Sequence, residues 1–101
     1  MPLFVVLSKL TDKGAETLFK KPDRVKEVNK ELEDMGVKVL EQYVMLGDWD
    51  FLNIVEAVDE KTLLAALTNL NMRGTIRTTT YRIVPVDEFI SILKEKKVGE
   101  A

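Results

Sequence analysis

Cysteine and histidine are both absent from this chain of 101 residues. Without cysteine there is no disulfide, no thiolate nucleophile and no cysteine-ligated zinc or iron–sulfur cluster. Without histidine there is no imidazole for haem or zinc, and no side chain that ordinarily titrates near neutral pH. The two absences exclude most familiar catalytic and metal centres, and no cofactor is expected. A basic excess is missing as well: 15 Lys and Arg stand against 17 Asp and Glu, a formal charge of −2, so no direct nucleic-acid partner is expected. No apolar run approaches the roughly 20 residues of a membrane span. The apolar start Met1 to Leu7 has no basic leader and turns polar at Ser8-Lys9, too soon for a signal peptide. The expected setting is cytoplasmic, away from any membrane.

What is present suits one core. The length matches a single domain over residues 1–101, and 46% hydrophobic with 32% charged residues is enough to bury a core beneath a solvated surface. Leu3 to Lys9 reads as a strand with Leu3, Val5 and Leu7 on one side and Phe4 and Val6 on the other, so both faces are apolar and the strand belongs in the middle of a sheet. Phe51 to Val58 has the same two-sided character, with Phe51, Val55 and Ala57 against Leu52, Ile54 and Val58. Before it, Val37 to Leu46 alternates through Val37, Val39, Tyr43 and Met45, and Gly47-Asp48 supplies the turn of a hairpin. Thr75 to Val84, Thr-rich and interrupted by Arg77 and Arg82, reads as a fourth strand near an edge.

Helices fall between the strands. A short turn is expected from Ala15 to Phe19. A longer helix from Pro22 to Met35 carries Val25, Val28, Leu32 and Met35 as one stripe and ends at Gly36. Asp59 caps a helix from Glu60 to Met72 with Leu63, Ala66, Leu67 and Leu70 inward, closed by Gly74. After Pro85 a last helix, Val86 to Lys97, places Val86, Phe89, Ile90 and Leu93 on one face. The order βαββαβ plus a terminal helix implies an α+β, ferredoxin-like antiparallel sheet in the order 4-1-3-2 with helices on one face. The other face would then expose apolar side chains to water. The expected cover is a second copy of the chain, packed as in the dimeric α+β barrels. The competing cover is the terminal helix folded back over its own sheet.

Candidate site residues gather near the turns. Thr11 and Gly14 can form an N–H nest for an anion where a helix begins, although Thr11 is equally a plain N-cap. Gly47 permits close approach of a ligand or only a turn, and Trp49 stacks on a planar ligand or packs against a neighbour. Asp50 caps backbone N–H groups or anchors an amine. Glu56, a carboxylate in an apolar strand, calls for a partner among Lys9, Arg24, Arg77 and Arg82, or for use as a base or ligand anchor. Arg77 and Tyr81 share one face of the fourth strand.

The segment Leu46-Gly47-Asp48-Trp49-Asp50-Phe51, then Ile54-Val55-Glu56-Ala57, Gly74 and Thr75 to Thr80, resembles the GYD-domain family. So do Leu10 to Gly14 and Arg24, and the resemblance spans residues 3 to 84, leaving out the terminal helix. Position 49 holds Trp where the family has Tyr, so no role of a phenol hydroxyl carries over. The resemblance implies a ferredoxin-like domain that oligomerises. The stretch from Gly47 to Glu56 is also similar to the effector-binding domain of leucine-responsive regulators, which bind amino acids at subunit interfaces.

Three functions are consistent with these residues. The first is a homo-oligomeric regulatory module holding a small polar or anionic molecule near Thr11, Gly14, Arg24, Gly47, Trp49, Asp50 and Glu56. The second is a cofactor-independent enzyme with Glu56 or Asp50 as base and Tyr43 or Tyr81 nearby. The third is a pure protein-assembly module.

Overall fold

The computed structural model describes residues 1–96. Along them run β1 (Leu3–Leu10), α1 (Asp12–Lys20), α2 (Arg24–Asp34), β2 (Val37–Val44), β3 (Phe51–Ala57), α3 (Glu60–Met72), β4 (Ile76–Ile83) and α4 (Val86–Lys96). Lys97, the expected last residue of the terminal helix, lies outside the described residues. The strands pair antiparallel in the order β2-β3-β1-β4, the expected ferredoxin-like sheet with the two double-faced strands at its centre.

The alternation in β1 divides the molecule. Phe4, Val6 and Ser8 are buried beneath the helices, whereas Leu3, Val5 and Leu7 remain half-buried on the opposite face. One cluster forms the core: Phe4 and Val6 from β1, Leu32 from α2, Val37 from β2, Val55 and Ala57 from β3, and Leu63, Ala66 and Leu70 from α3. Nine such side chains supply the main driving force for folding, at about 1.5–3 kcal/mol for each large one fully buried. Asp59 caps α3 as expected, its Oδ1 accepting the Thr62 N–H at 2.8 Å.

Three local features depart from expectation. The first helix is a full α1 from Asp12, because Thr11 caps it and Lys13 to Phe19 hold no breaker strong enough to shorten it. Pro22 lies outside α2: its carbonyl accepts the Val25 N–H in a lead-in turn, and the helix opens at Arg24 with no side-chain cap from Asp23. In β2 the register slips between Val39 and Glu41, so Leu40 is a bulge. That one extra residue reverses the phase. Val37 and Val39 face the helices, but Tyr43 then faces the other side and Gln42 takes the inward position.

The terminal helix does not fold back. No residue of α4 is buried, and Val86, Phe89 and Leu93 are 70%, 51% and 47% exposed. The radius of gyration is 16.4 Å, against about 13 Å for a compact chain of this length. The longest dimension, 62 Å, is about twice the next, 29 Å. An apolar helix and an apolar sheet face are both left without partners inside one copy.

Candidate functional site

Three of the candidate residues meet where β1 enters α1. Thr11 Oγ1 accepts the Gly14 N–H at 3.1 Å and donates to the Gly74 carbonyl at 2.7 Å, while the Thr11 N–H reaches the Thr75 carbonyl at 2.9 Å. The Asp50 carboxylate accepts the Leu10 N–H at 2.8 Å, and its own N–H donates to the Ser8 carbonyl at 2.9 Å. These bonds tie three distant stretches of chain together. The N–H of Gly14 is thereby spent on Thr11 rather than offered to an anion.

The hairpin tip stands apart. Gly47 adopts φ +140°, where a side chain is strained, yet no other atom comes within 4 Å of its would-be Cβ. Leu46 beside it is fully exposed, and Trp49 is half-buried. Glu56 lies on the open face of β3, opposite Leu3 on β1 and Lys38 on β2. Its four anticipated partners do not pair with it among the described residues: Arg24 engages Glu27 and Glu31, Arg77 the Asn71 carbonyl and Arg82 the Leu3 carbonyl. The cation across from Glu56 in register is Lys38.

Arg24 belongs to a row of alternating charge. Lys21 pairs with Glu27 at 3.1 Å, Glu27 with Arg24 at 3.3 Å, Arg24 with Glu31 at 2.8 Å, and Glu31 with Arg73 on α3. Hydrogen bonds from Arg24 and then Arg73 hold the Glu31 carboxyl below its ordinary range, and that from Lys21 does the same for Glu27. At Asp59 the cause is the Thr62 backbone N–H. A carboxyl lowered in the folded chain stabilises above its unfolded value and loses that contribution as pH falls. Thermal midpoints should therefore fall on acidification from about pH 5 towards 2. Replacing Glu31 by glutamine should cost about 0.5–1 kcal/mol near neutrality, since Glu31 and its two arginines are about one-third exposed. That difference from wild type should vanish at the acid end, as calorimetry across the range would show.

The open face of the sheet is an uncovered apolar surface. Leu3, Val5 and Leu7 of β1 stand beside Leu52 and Ile54 of β3, with Tyr81 and Ile83 of β4 alongside. Lys38, Glu41 and Tyr43 of β2 and Arg77 of β4 border it. The Tyr43 hydroxyl donates to Glu41 at 2.7 Å, which holds the phenol above its usual range.

On the helix-facing side a polar row passes unremarked in the sequence. Gln42 of β2 stands opposite Asn53 of β3, and Ser8 of β1 opposite Thr78 of β4, all within the face that elsewhere carries Phe4, Val6 and Val55. Gln42 exchanges two hydrogen bonds with Asn29 of α2, at 2.9 and 3.2 Å. The Oδ1 of Asn53 is buried without a partner. Its signal was a lone amide between Phe51 and Val55 at period two. Among the described residues no group of three or more acidic, His or Cys side chains is placed to hold a metal ion.

Sheet order, three helices on one face and a bare second face define a ferredoxin-like α+β domain. The GYD domain model matches residues 4–93, and the chain belongs to the GYD-domain family. The match extends into α4, which therefore shares the family pattern although the motif-based resemblance stops at residue 84. A relative from Thermus thermophilus is 54% identical over 95 residues, 93% of this chain and 100% of its own. It is named glutamine synthetase and cystathionine beta-lyase binding protein. The crystal structure of a Thermus thermophilus protein superposes with a TM-score of 0.54 at 22% identity, over 84% of this chain and 95% of that one. A dimeric ferredoxin-like protein from an uncultured marine organism gives 0.40 at 13% identity, over 85% and 95% respectively. No helix among the described residues is long and apolar enough to cross a membrane.

Proposed function

We propose that this protein is a homodimeric docking module for a metabolic enzyme of the kind its relative is named for, a glutamine synthetase or a cystathionine beta-lyase. The observation that carries the reading is the 54% identity along the whole of that relative. The open face supports the dimeric part. Five aliphatic side chains at its centre keep part of their surface exposed in one copy, so a partner would add at most about a third of the 1.5–3 kcal/mol each gains on full burial. A two-fold arrangement offers each sheet the same surface, and it offers each α4 a sheet edge to cover.

The enzyme-facing surface is the tip of the β2–β3 hairpin. Leu46 is wholly exposed there, three residues before Trp49, in the loop that Asp50 ties to β1. An exposed aliphatic side chain near a half-buried aromatic one at a hairpin tip suits an interface anchor. Immobilised protein should bind at least one of the two enzymes in biolayer interferometry. Leu46→Asp should weaken that binding at least about tenfold while leaving the dimer intact. Failure of both enzymes to bind at concentrations of about 50 µM would remove the proposal. A catalytic reading has less support, because the Asp50 carboxylate is engaged by the Leu10 N–H and Glu56 faces Lys38.

A further inference from the structure

Between the helices and the sheet lies a cavity of about 140 Å³. Its walls are mostly apolar, formed by Val6, Leu32, Val55, Leu63, Leu67 and Leu70. The lining also includes Ser8, which is buried, and Asn53, whose Oδ1 has no partner. Turning the Asn53 amide over would only exchange an orphan acceptor for an orphan donor. A buried polar atom left unpaired costs free energy, and native chains keep few of them without a reason. The charged residues of the lining, among those described, are Arg24 and Arg73.

We infer that this cavity is a binding site for a small amphiphilic carboxylic acid that carries an O–H or N–H donor, of the size of a branched hydroxy or amino acid. The volume is close to the about 150 Å³ that admits a six-carbon ring. A single water on Ser8 and Asn53 would leave most of this volume empty. Each buried water needs two to four polar partners, and other neighbouring polar groups are already used: Asn29 with Gln42, and Thr78 with Asn71. The apolar walls take the aliphatic body, and Asn53 Oδ1 accepts the donor. The carboxylate lies against the two guanidiniums. Arg24 and Arg73 both reach Glu31 through Nη1, so two cations share one carboxylate, and a guanidinium carries five N–H donors in all. The inference does not rest on enzyme docking, since it is built wholly from the face turned away from the open surface.

The test uses amide-resolved NMR of the full chain titrated with 2-hydroxy-3-methylbutanoate, its primary amide, and 3-methylbutanoate. The hydroxy acid should give saturable shifts at Ser8, Asn53 and Val55. The amide and the des-hydroxy acid should each bind at least about tenfold more weakly. Asn53→Leu should abolish the shifts while raising the thermal midpoint, because it removes the orphan acceptor and fills space. Arg73→Met should weaken the hydroxy acid but leave the amide unchanged, which a merely structural arginine would not do. No saturable shift from the hydroxy acid at about 20 mM overturns the inference, as does binding that survives Asn53→Leu undiminished. Equal affinity for acid and amide overturns it too.

Discussion

Gly14→Ala should destabilise the protein by about 3 kcal/mol or more, lowering the thermal midpoint by about 12 °C or more. A Cβ on Gly14 would sit 2.0 Å from the Thr75 carbonyl oxygen, which is backbone and cannot rotate away. That oxygen also accepts the Thr11 N–H at 2.9 Å, so moving it apart breaks the bond that seats α1 on the sheet. The effect runs against local preference. In an isolated helix alanine is better than glycine by about 1 kcal/mol, so a net loss measures steric exclusion after that gain is overcome. Gly47→Ala is the control: its φ of +140° strains a side chain, but no atom lies within 4 Å, so about 1 kcal/mol is expected. Chemical denaturation of both variants decides the matter. A Gly14→Ala protein within about 1 kcal/mol of wild type would mean that α1 slides outward freely.

Val5→Asp should turn the proposed dimer into a monomer while leaving the sheet and helices formed. Val5 lies mid-face, opposite Ile54 on one side and Tyr81 on the other. In one copy an aspartate there meets water and costs the fold little. Pressed against a second sheet it becomes an unpaired buried carboxylate, a penalty of several kcal/mol. A weakening of at least about a thousandfold follows from about 4 kcal/mol. Light scattering behind size exclusion gives the mass directly, and far-ultraviolet circular dichroism checks the fold. Phe89→Asp on α4 should weaken association in the same direction if that helix lies on the partner. A wild-type chain that stays monomeric at about 100 µM would sink the dimer.

The strand order was legible because β1 and β3 carry apolar residues at both parities, which only central strands tolerate. The caps were legible too, since Thr11 and Asp59 stand where a helix leaves four N–H groups unpaired. The reversal in β2 was hidden. Val37, Val39, Tyr43 and Met45 read as one face, and nothing in their identities reveals that Leu40 bulges between them. Pro22 was misleading in another way, because a proline suits both the first helical position and the turn before it.

For the candidate residues the division is similar. Residue type pointed to Asp50 and Thr11 as hydrogen-bonding turn residues, and both are. It pointed to cations for Glu56, but ion pairing depends on which strands become neighbours, and pairing of β2 with β3 made the neighbour Lys38. Asn53 went unnoticed for want of a third dimension. One amide in a strand is unremarkable until a helix layer shuts water away from it.

By itself the amino-acid order determined the class of fold, the absence of histidine and cysteine chemistry, and the apolarity of both sides of the sheet, because side-chain periodicity and composition are local. Only the tertiary structure decided that α4 leaves its own sheet bare, that Gly14 abuts the Thr75 carbonyl, and that Asn53 ends in a cavity beneath the helices. Those facts depend on which distant segments meet, and packing in three dimensions is settled by the whole chain at once.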